Sequence, residues 1–347
     1  MTYFSEPISA SAETRKAYRD GIQALIRRRA EELEAIRRKE VTPSHMKAIQ
    51  PMYREKLKKM LGWPLTGPVL DPAPKVTRVH LADEEGVVID RVTLEVMEGV
   101  PMTALLFTPT DLAEGEKIPG VLCQHGGAGT PELISGLWGD THNYNQMLRR
   151  VLEKRVVVIA PQLLLWRHPE EEQEFMPPFD RPRTDAALRQ LGGTLTALEI
   201  YGLQRMIDYL AALPQVDESR LGMVGLSYGG FYTLLTAAID TRLKAAVSSC
   251  SFNSHAYGTI CDWCFQDAAL KLMNAETAAL VAPRALAIEV GKADELFDYK
   301  EAIREAENIP AFFEAFDAPD KFLFRVFEGP HEFDKGPKSL DFFFNNL

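Results

Sequence analysis

The spacing of apolar and polar positions divides the chain into three zones. From residue 1 to about 75 the apolar residues recur at helical spacing, as Tyr18, Ile22, Leu25 and Ile26, then Leu33 and Ile36. Pro43 and Pro51 punctuate this run, and a second helix is predicted from Pro51 to Leu61. Pro64, Pro68, Pro72 and Pro74 then predict a linker. Between about 76 and 110 the period changes to two. Val76, Arg78 and His80 alternate with Thr77, Val79 and Leu81, and further apolar positions follow from Val87 to Phe107. This predicts two or three antiparallel strands joined by turns at Glu85-Gly86 and Gly99-Val100-Pro101. Beyond residue 118, short apolar runs alternate with helical stretches. The runs begin at Val121, Val156, Met223, Ala245, Ala285 and Phe322. Continuous runs of this length fit strands buried on both faces of a parallel sheet covered by helices. The clearest helix, Thr194 to Leu213, carries its stripe on Leu195, Leu198, Leu203, Met206, Leu210 and Leu213. The predicted class is α/β: a mostly parallel central sheet with antiparallel N-terminal strands and helices on both faces. The expected division is a helical extension, 1–75, followed by the sheet domain, 76–347.

Composition narrows the classes. The chain has 347 residues, 46% hydrophobic and 25% charged, which is globular and excludes a disordered or collagen-like chain. No apolar run approaches the roughly 20 residues of a membrane span. The polar start reads as lacking a signal peptide, and four cysteines without a secretion signal read as reduced thiols, so a cytoplasmic location is expected. Charge is unevenly spread. Residues 1–60 hold 14 Lys and Arg against 8 Asp and Glu, a balance of +6, and the remainder holds 25 against 41, a balance of −16. An acidic body argues against nucleic acid as a partner. The basic stretch around Arg27, Arg28, Arg29, Arg37, Arg38 and Lys39 is interleaved with Glu31, Glu32 and Glu34 and reads as a solvated or docked helix face. No membrane partner is expected from it.

Chemistry concentrates in a few segments. Gly225-Leu226-Ser227-Tyr228-Gly229 follows a strand and precedes a helical run, the context that gives G-x-S-x-G its meaning. Such a turn lifts the serine hydroxyl above the sheet, over a helix N-terminus that favours developing negative charge. A serine at its ordinary pKa needs a base, and the base needs an acid to orient it. In sites of this kind the chain order is Ser, then Asp or Glu, then His. Only His255 and His331 follow Ser227, and His255 precedes the strand at Ala285, which selects His331. The acid belongs in the loop Gly291 to Asp298, where Asp294 is the choice and Glu295 and Asp298 are the alternatives; Asp298 also suits a helix N-cap. Gln124-His125-Gly126-Gly127-Ala128-Gly129 follows another strand, and its glycines let backbone N–H groups approach a carbonyl oxygen. The expected oxyanion hole pairs the N–H of Tyr228 with that of Gly127, or of Ala128, while His125 braces the loop.

Together, His125-Gly126-Gly127, Gly225-Leu226-Ser227-Tyr228-Gly229-Gly230, Gly291-Lys292-Ala293-Asp294 and Gly329-Pro330-His331-Glu332 resemble the α/β-hydrolase superfamily. More closely they are similar to its dienelactone-hydrolase-like and acetyl-xylan-esterase-like branch. The resemblance covers about residues 50 to 347, including Leu57 to Pro64. It implies the α/β-hydrolase fold and a serine hydrolase acting on carboxylic esters, with a small-molecule or carbohydrate ester as substrate. Two departures stand out: dienelactone hydrolases proper carry cysteine where this chain has Ser227, and the Arg-Gly-Gln motif of one acetyl xylan esterase type is not found.

The stretch 163–193 is long for a strand-to-helix connection and is a candidate lid or pocket wall. Trp138, Tyr144, Trp166, Phe175 and Trp263 are candidate walls for apolar or sugar groups, and Arg181 and Arg183 read either as carboxylate readers or as solvated loop residues. Cys261-Asp262-Trp263-Cys264 is a lone C-x-x-C without the further ligands a zinc site needs, so neither metal nor cofactor is expected. Gly-Leu-Ser-Tyr-Gly-Gly also resembles prolyl-oligopeptidase-like peptidases, which keeps a peptidase as the alternative activity. A non-catalytic binding protein of the same fold is the other alternative. The N-terminal helices are expected to cap the fold or to build a homo-oligomer contact.

Overall fold

The computed structural model describes residues 3–65, 75–165, 179–255 and 260–347. Two helices open the chain, α1 (Ala12–Glu40) and α2 (Pro43–Leu61). An antiparallel meander follows, β1 (Val76–Glu84), β2 (Val87–Met97) and β3 (Val100–Pro109). The chain then runs through β4 (Ile118–Gln124), α3 (Pro131–Ser135), α4 (Met147–Leu152) and β5 (Val157–Pro161). Next come α5 (Arg181–Gln190), α6 (Leu195–Ala211), β6 (Val216–Leu226), α7 (Tyr228–Ile239) and β7 (Leu243–Ser249). The last third holds α8 (Ala268–Lys271), α9 (Asn274–Ala279), β8 (Ala285–Gly291), α10 (Tyr299–Ala306), α11 (Ile309–Ala315), β9 (Phe322–Phe327) and α12 (Lys338–Phe344).

The strands form one sheet in the order β1-β2-β3-β5-β4-β6-β7-β8-β9, parallel from β5 onward. This is the α/β-hydrolase fold. Within the continuous apolar runs the two-residue period persists, because alternate side chains face opposite helical layers. Leu286, Ile288 and Val290 of β8 join one core and Ala285 and Ala287 the other. The carboxyl ends of β4, β6, β8 and β9 lie along one edge of this sheet, where open parallel sheets bind ligands. No helix of the described residues is long and apolar enough to cross a membrane.

One expectation changes, at the stretch 163–193, and the N-terminal segments take a definite form. The helix expected from Pro51 is present: α2 is two helical segments, the first opening at Pro43 with the Thr42 side chain as its cap, joined across a kink at Ile49 (φ −132°, ψ 30°). Pro51 has no N–H to donate to the preceding turn, which places the interruption just ahead of it. α2 packs onto the sheet domain. Met46, Tyr53, Leu57 and Leu61 of α2 are buried in the same cluster as Leu122 and Ile159 of the sheet. In the stretch 163–193, residues 181–190 form α5 rather than irregular loop, while 166–178 lie outside the described residues.

Where α1 meets the body it does so through Arg37, whose guanidinium pairs with the Glu276 carboxylate at 2.9 Å, both side chains nearly inaccessible. Glu305 is buried beside this pair and accepts the Ala275 N–H at 2.9 Å. Burial, with the Glu276 charge adding to it, pushes the Glu305 pKa up to about 8. A carboxyl raised in the fold holds its proton there when the unfolded chain has lost it. Its contribution to stability is therefore complete below about 4.5 and is lost as pH rises toward about 8. One proton sets the slope at no more than about 1.4 kcal/mol per pH unit. Glu305→Gln is expected to flatten the dependence of the urea midpoint on pH across that window. An unchanged slope would show that Glu305 is ionised in the fold.

Candidate active site

β6 delivers Ser227 to the carboxyl edge of the sheet in a turn too tight for ordinary residues. Its backbone sits at φ 58° and ψ −122°, and its N–H donates to the Ser249 carbonyl of β7 at 2.8 Å. The flanking glycines are required by space. A Cβ on Gly225 would stand 2.3 Å from the Gly229 carbonyl oxygen, and one on Gly229 2.2 Å from that of Gln124. Removing both side chains lets β6, α7 and the end of β4 approach one another. α7 starts directly at Tyr228, so the unsatisfied N–H groups and positive end of a fully buried 12-residue helix lie behind the serine.

The loop after β8 carries Asp294 and the loop after β9 carries His331. Asp294 Oδ2 lies 2.8 Å from His331 Nδ1, with side-chain exposures of 1% and 8%. The other oxygen, Oδ1, accepts the N–H groups of Leu296 and Phe297 at 2.8 and 3.0 Å. Burial opposes the charge of Asp294. The hydrogen bond and charge of His331 and the two backbone donors outweigh it, and the pKa falls below the usual value. An ionised Asp294 fixes the proton of His331 on Nδ1 and leaves Nε2 as the basic nitrogen. Of the alternative acids, Glu295 accepts the His331 N–H at 3.3 Å, and Asp298 caps α10 by accepting the Lys300 N–H.

Ser227 and His331 line one cavity of about 370 Å³ together with Tyr228, Gly126, Gly127, Asn143 and Tyr144, walled by Leu226, Ile260, Leu296 and Phe297. The glycine loop is held from two sides. His125, fully buried, spans from the Gly126 carbonyl at Nδ1 (2.8 Å) to the Leu163 N–H at Nε2 (2.9 Å). The Tyr144 hydroxyl accepts the Gly126 N–H at 2.7 Å. Burial pushes the Tyr144 phenol up, and the Gly126 bond only partly offsets this, so it stays neutral. Tyr144, expected as a wall, is both wall and brace.

The other aromatic candidates fall differently. Trp138 is 43% exposed and does not line this cavity, and Trp166 and Phe175 lie outside the described residues. Trp263 is buried one layer back, stacked between Phe231 and Phe297 at 4.3 and 5.6 Å. It supports Phe297 from behind, because the short loop before α8 turns its ring inward.

Arg181 is neither a carboxylate reader at the surface nor a solvated loop residue. It is 3% exposed and bonds Glu199 through both terminal nitrogens (3.0 and 2.8 Å), Asp262 at 2.6 Å and the Tyr232 hydroxyl at 2.7 Å. Tyr228 completes the network: its hydroxyl donates to Asp262 at 2.9 Å and its ring lies 5.4 Å from the guanidinium. One cation and two carboxylates thus anchor the side chain next to the serine. Arg183 offers its backbone N–H to Asp180, the cap of α5.

Sequence reading missed the residues that hold the histidine loop. The Asn143 side chain donates to the His331 carbonyl, and its own carbonyl accepts the Phe333 N–H. Asn145 donates to Glu332 and to the Phe333 carbonyl. Glu289, wholly buried in β8, accepts from Ser249 and from the Asp334 N–H. A buried acid inside an apolar strand was the one signal available. The sulfur of Cys250 also faces Asp294 and His331. Burial pushes its thiol up, so it is neutral, and it donates to the Glu332 carbonyl. Cys123, at the end of β4, is a buried free thiol as well.

Comparison with known proteins places this geometry. The sequence model of the dienelactone hydrolase family matches residues 103–311, more than half of the chain. Dipeptidyl-peptidase 5 of Porphyromonas gingivalis is 31% identical over 181 residues, 48% of this chain and 22% of that protein. The chain spans about a fifth of the length of the curated relatives it matches. Among solved structures, a glucuronoyl esterase from Solibacter usitatus superimposes with a TM-score of 0.65 at 16% identity, covering 85% of this chain and 92% of that one. A methylesterase gives a TM-score of 0.65 at 18% identity over 91% and 67%.

Proposed function

The chain belongs to the dienelactone hydrolase family, and from that premise we propose that it is a serine hydrolase cleaving a carboxylic ester through an acyl-enzyme. The observation that carries the reading is the bond from Asp294 to His331 beside a cavity that holds Ser227 at its elbow and the glycine loop opposite. Ser227 Oγ attacks the ester carbonyl carbon and its proton passes to His331 Nε2. Asp294 stabilises the imidazolium. The N–H groups of Tyr228 and Gly127 hold the oxyanion. The tetrahedral species collapses, and the alkoxide leaves with the proton from His331. A water molecule, deprotonated by the same nitrogen, then attacks the acyl-enzyme; the bond to Ser227 Oγ breaks, His331 returns the proton to that oxygen, and the acid is released.

The apolar wall of Leu226, Ile260, Leu296 and Phe297 suits a short acyl or alkyl group. The glucuronoyl esterase and methylesterase likenesses favour a carbohydrate or other small-molecule ester. The similarity to a dipeptidyl-peptidase favours a second reading, a peptidase on the same triad. A panel of p-nitrophenyl esters from acetate to octanoate, sugar methyl and acetyl esters, and dipeptide p-nitroanilides separates the two. Ester turnover with a short-chain optimum is expected; turnover confined to the anilides would replace esterase by peptidase.

Tyr144→Phe tests the brace on the glycine loop. It leaves the Gly126 N–H without its acceptor and is expected to cost about 1–3 kcal/mol locally. In ester turnover this reads as a roughly 10- to 100-fold lower kcat with KM little changed. A KM effect alone would make Tyr144 only a wall of the cavity.

A further inference from the structure

We infer that the free half of α1 is a docking arm that seats on the acidic body of a second copy of this chain. Residues 12–29 of α1 are all exposed, whereas the face from Ala30 to Val41 turns onto the chain's own body through Leu33, Arg37 and Val41. The apolar stripe does not stop where the body stops. It continues through Ile26, Leu25, Ile22 and Tyr18, which are 41%, 47%, 40% and 76% exposed. Beyond the N-terminus of the helix, Ile8 and Phe4 are exposed as well.

In a protein most of a helix's stability comes from packing an amphipathic face rather than from intrinsic propensity. Gly21 in its middle lowers the intrinsic propensity. The exposed pairs along it, Lys16 with Asp20 and Arg28 with Glu32, add little. The bare stripe therefore needs an occupant.

Charge selects which one. Residues 12–29 carry six cations, Arg15, Lys16, Arg19, Arg27, Arg28 and Arg29, against Glu13 and Asp20. Residues 61–347 hold 25 Lys and Arg against 41 Asp and Glu. Two such arms lying side by side would repel each other, whereas an arm laid on the body of a second copy is attracted to it. Reciprocal exchange of the two arms closes a two-fold dimer without leaving either stripe exposed.

The test is the mass of the full chain in solution by light scattering and sedimentation at about 50 and about 500 mM NaCl, a span over which surface charge is progressively screened. The double variant Ile22→Glu/Leu25→Glu is run beside it. A dimer is expected for the wild type, with dissociation increased at least tenfold by the added salt. The double variant is expected to be monomeric with unchanged circular dichroism and unchanged ester turnover per chain. A monomeric wild type overturns the inference, and so does a dimer that the double variant leaves intact. Efficient disulfide cross-linking between two copies of the Ile22→Cys variant would place arm against arm and overturn the exchange. A monomer that sediments with phosphatidylglycerol vesicles but not with phosphatidylcholine vesicles would assign the stripe to a lipid surface instead.

Discussion

Ser227→Ala is expected to abolish ester turnover, lowering kcat on the order of 10⁵- to 10⁶-fold, the scale on which the nucleophile of a serine triad acts. The change removes one oxygen and leaves the Cβ that already fits the turn, so the fold is expected to survive it. On the proposed mechanism the cavity, the Tyr228 and Gly127 donors and His331 would still bind and polarise an ester, so the residual rate is expected to stay above that of water. Backbone strain gives a second readout. At φ 58° a side chain costs about 1–2 kcal/mol that glycine does not. Ser227→Gly is thus expected to be as inactive as the alanine variant and yet more stable to urea. Fluorophosphonate labelling is expected on the wild type and on neither variant. Persistent turnover in Ser227→Ala would remove Ser227 from the chemistry and with it the acyl-enzyme.

Arg181→Met is expected to be the most destabilising single change near the site. It leaves Glu199 and Asp262, 5% and 2% exposed, without the cation between them. Breaking a buried pair by removing one partner costs about 3–5 kcal/mol, because the surviving charge has neither water nor a counter-ion. Here two charges are left. The loss should appear as a lower urea midpoint with an unchanged m-value. Adding Glu199→Gln and Asp262→Asn is expected to recover much of it, since neutral amides need no counter-charge. A triple variant no more stable than Arg181→Met would show that packing of the guanidinium stem, rather than its charge, is what the network supplies. Because Asp262 holds the Tyr228 hydroxyl, the triple variant should also turn over ester more slowly than its recovered stability suggests.

Much of this was legible along the chain because it is local. An apolar run bounded by turns predicts a buried strand wherever it lies, and β4 to β9 follow such runs. G-x-S-x-G between a strand and a helix implies a close approach, and the clashes at Gly225 and Gly229 are its physical content. Chain order alone selected His331, and the structure sets it against Asp294. The pattern misled where the period was right but the partner was not. Tyr18, Ile22 and Leu25 do form a stripe, yet nothing in their spacing says whether a body lies beneath them. At Pro51 the reading was right: α2 is interrupted at Ile49 just ahead of the proline, and the segment that follows buries Tyr53, Leu57 and Leu61 against the sheet.

By itself, then, the sequence determined the α/β class, the elbow and the order of its chemical groups, since each depends on neighbours a few residues apart or on a rule of chain order. The tertiary structure alone decided what surrounds them. Arg181 meets Asp262 across 81 residues, Asn143 meets His331 across 188, and Arg37 meets Glu276 across 239. No periodicity links such positions. A polar side chain drawn into a low-dielectric interior is stable only where a partner waits, and which partner waits is fixed by how the sheet and its helices pack.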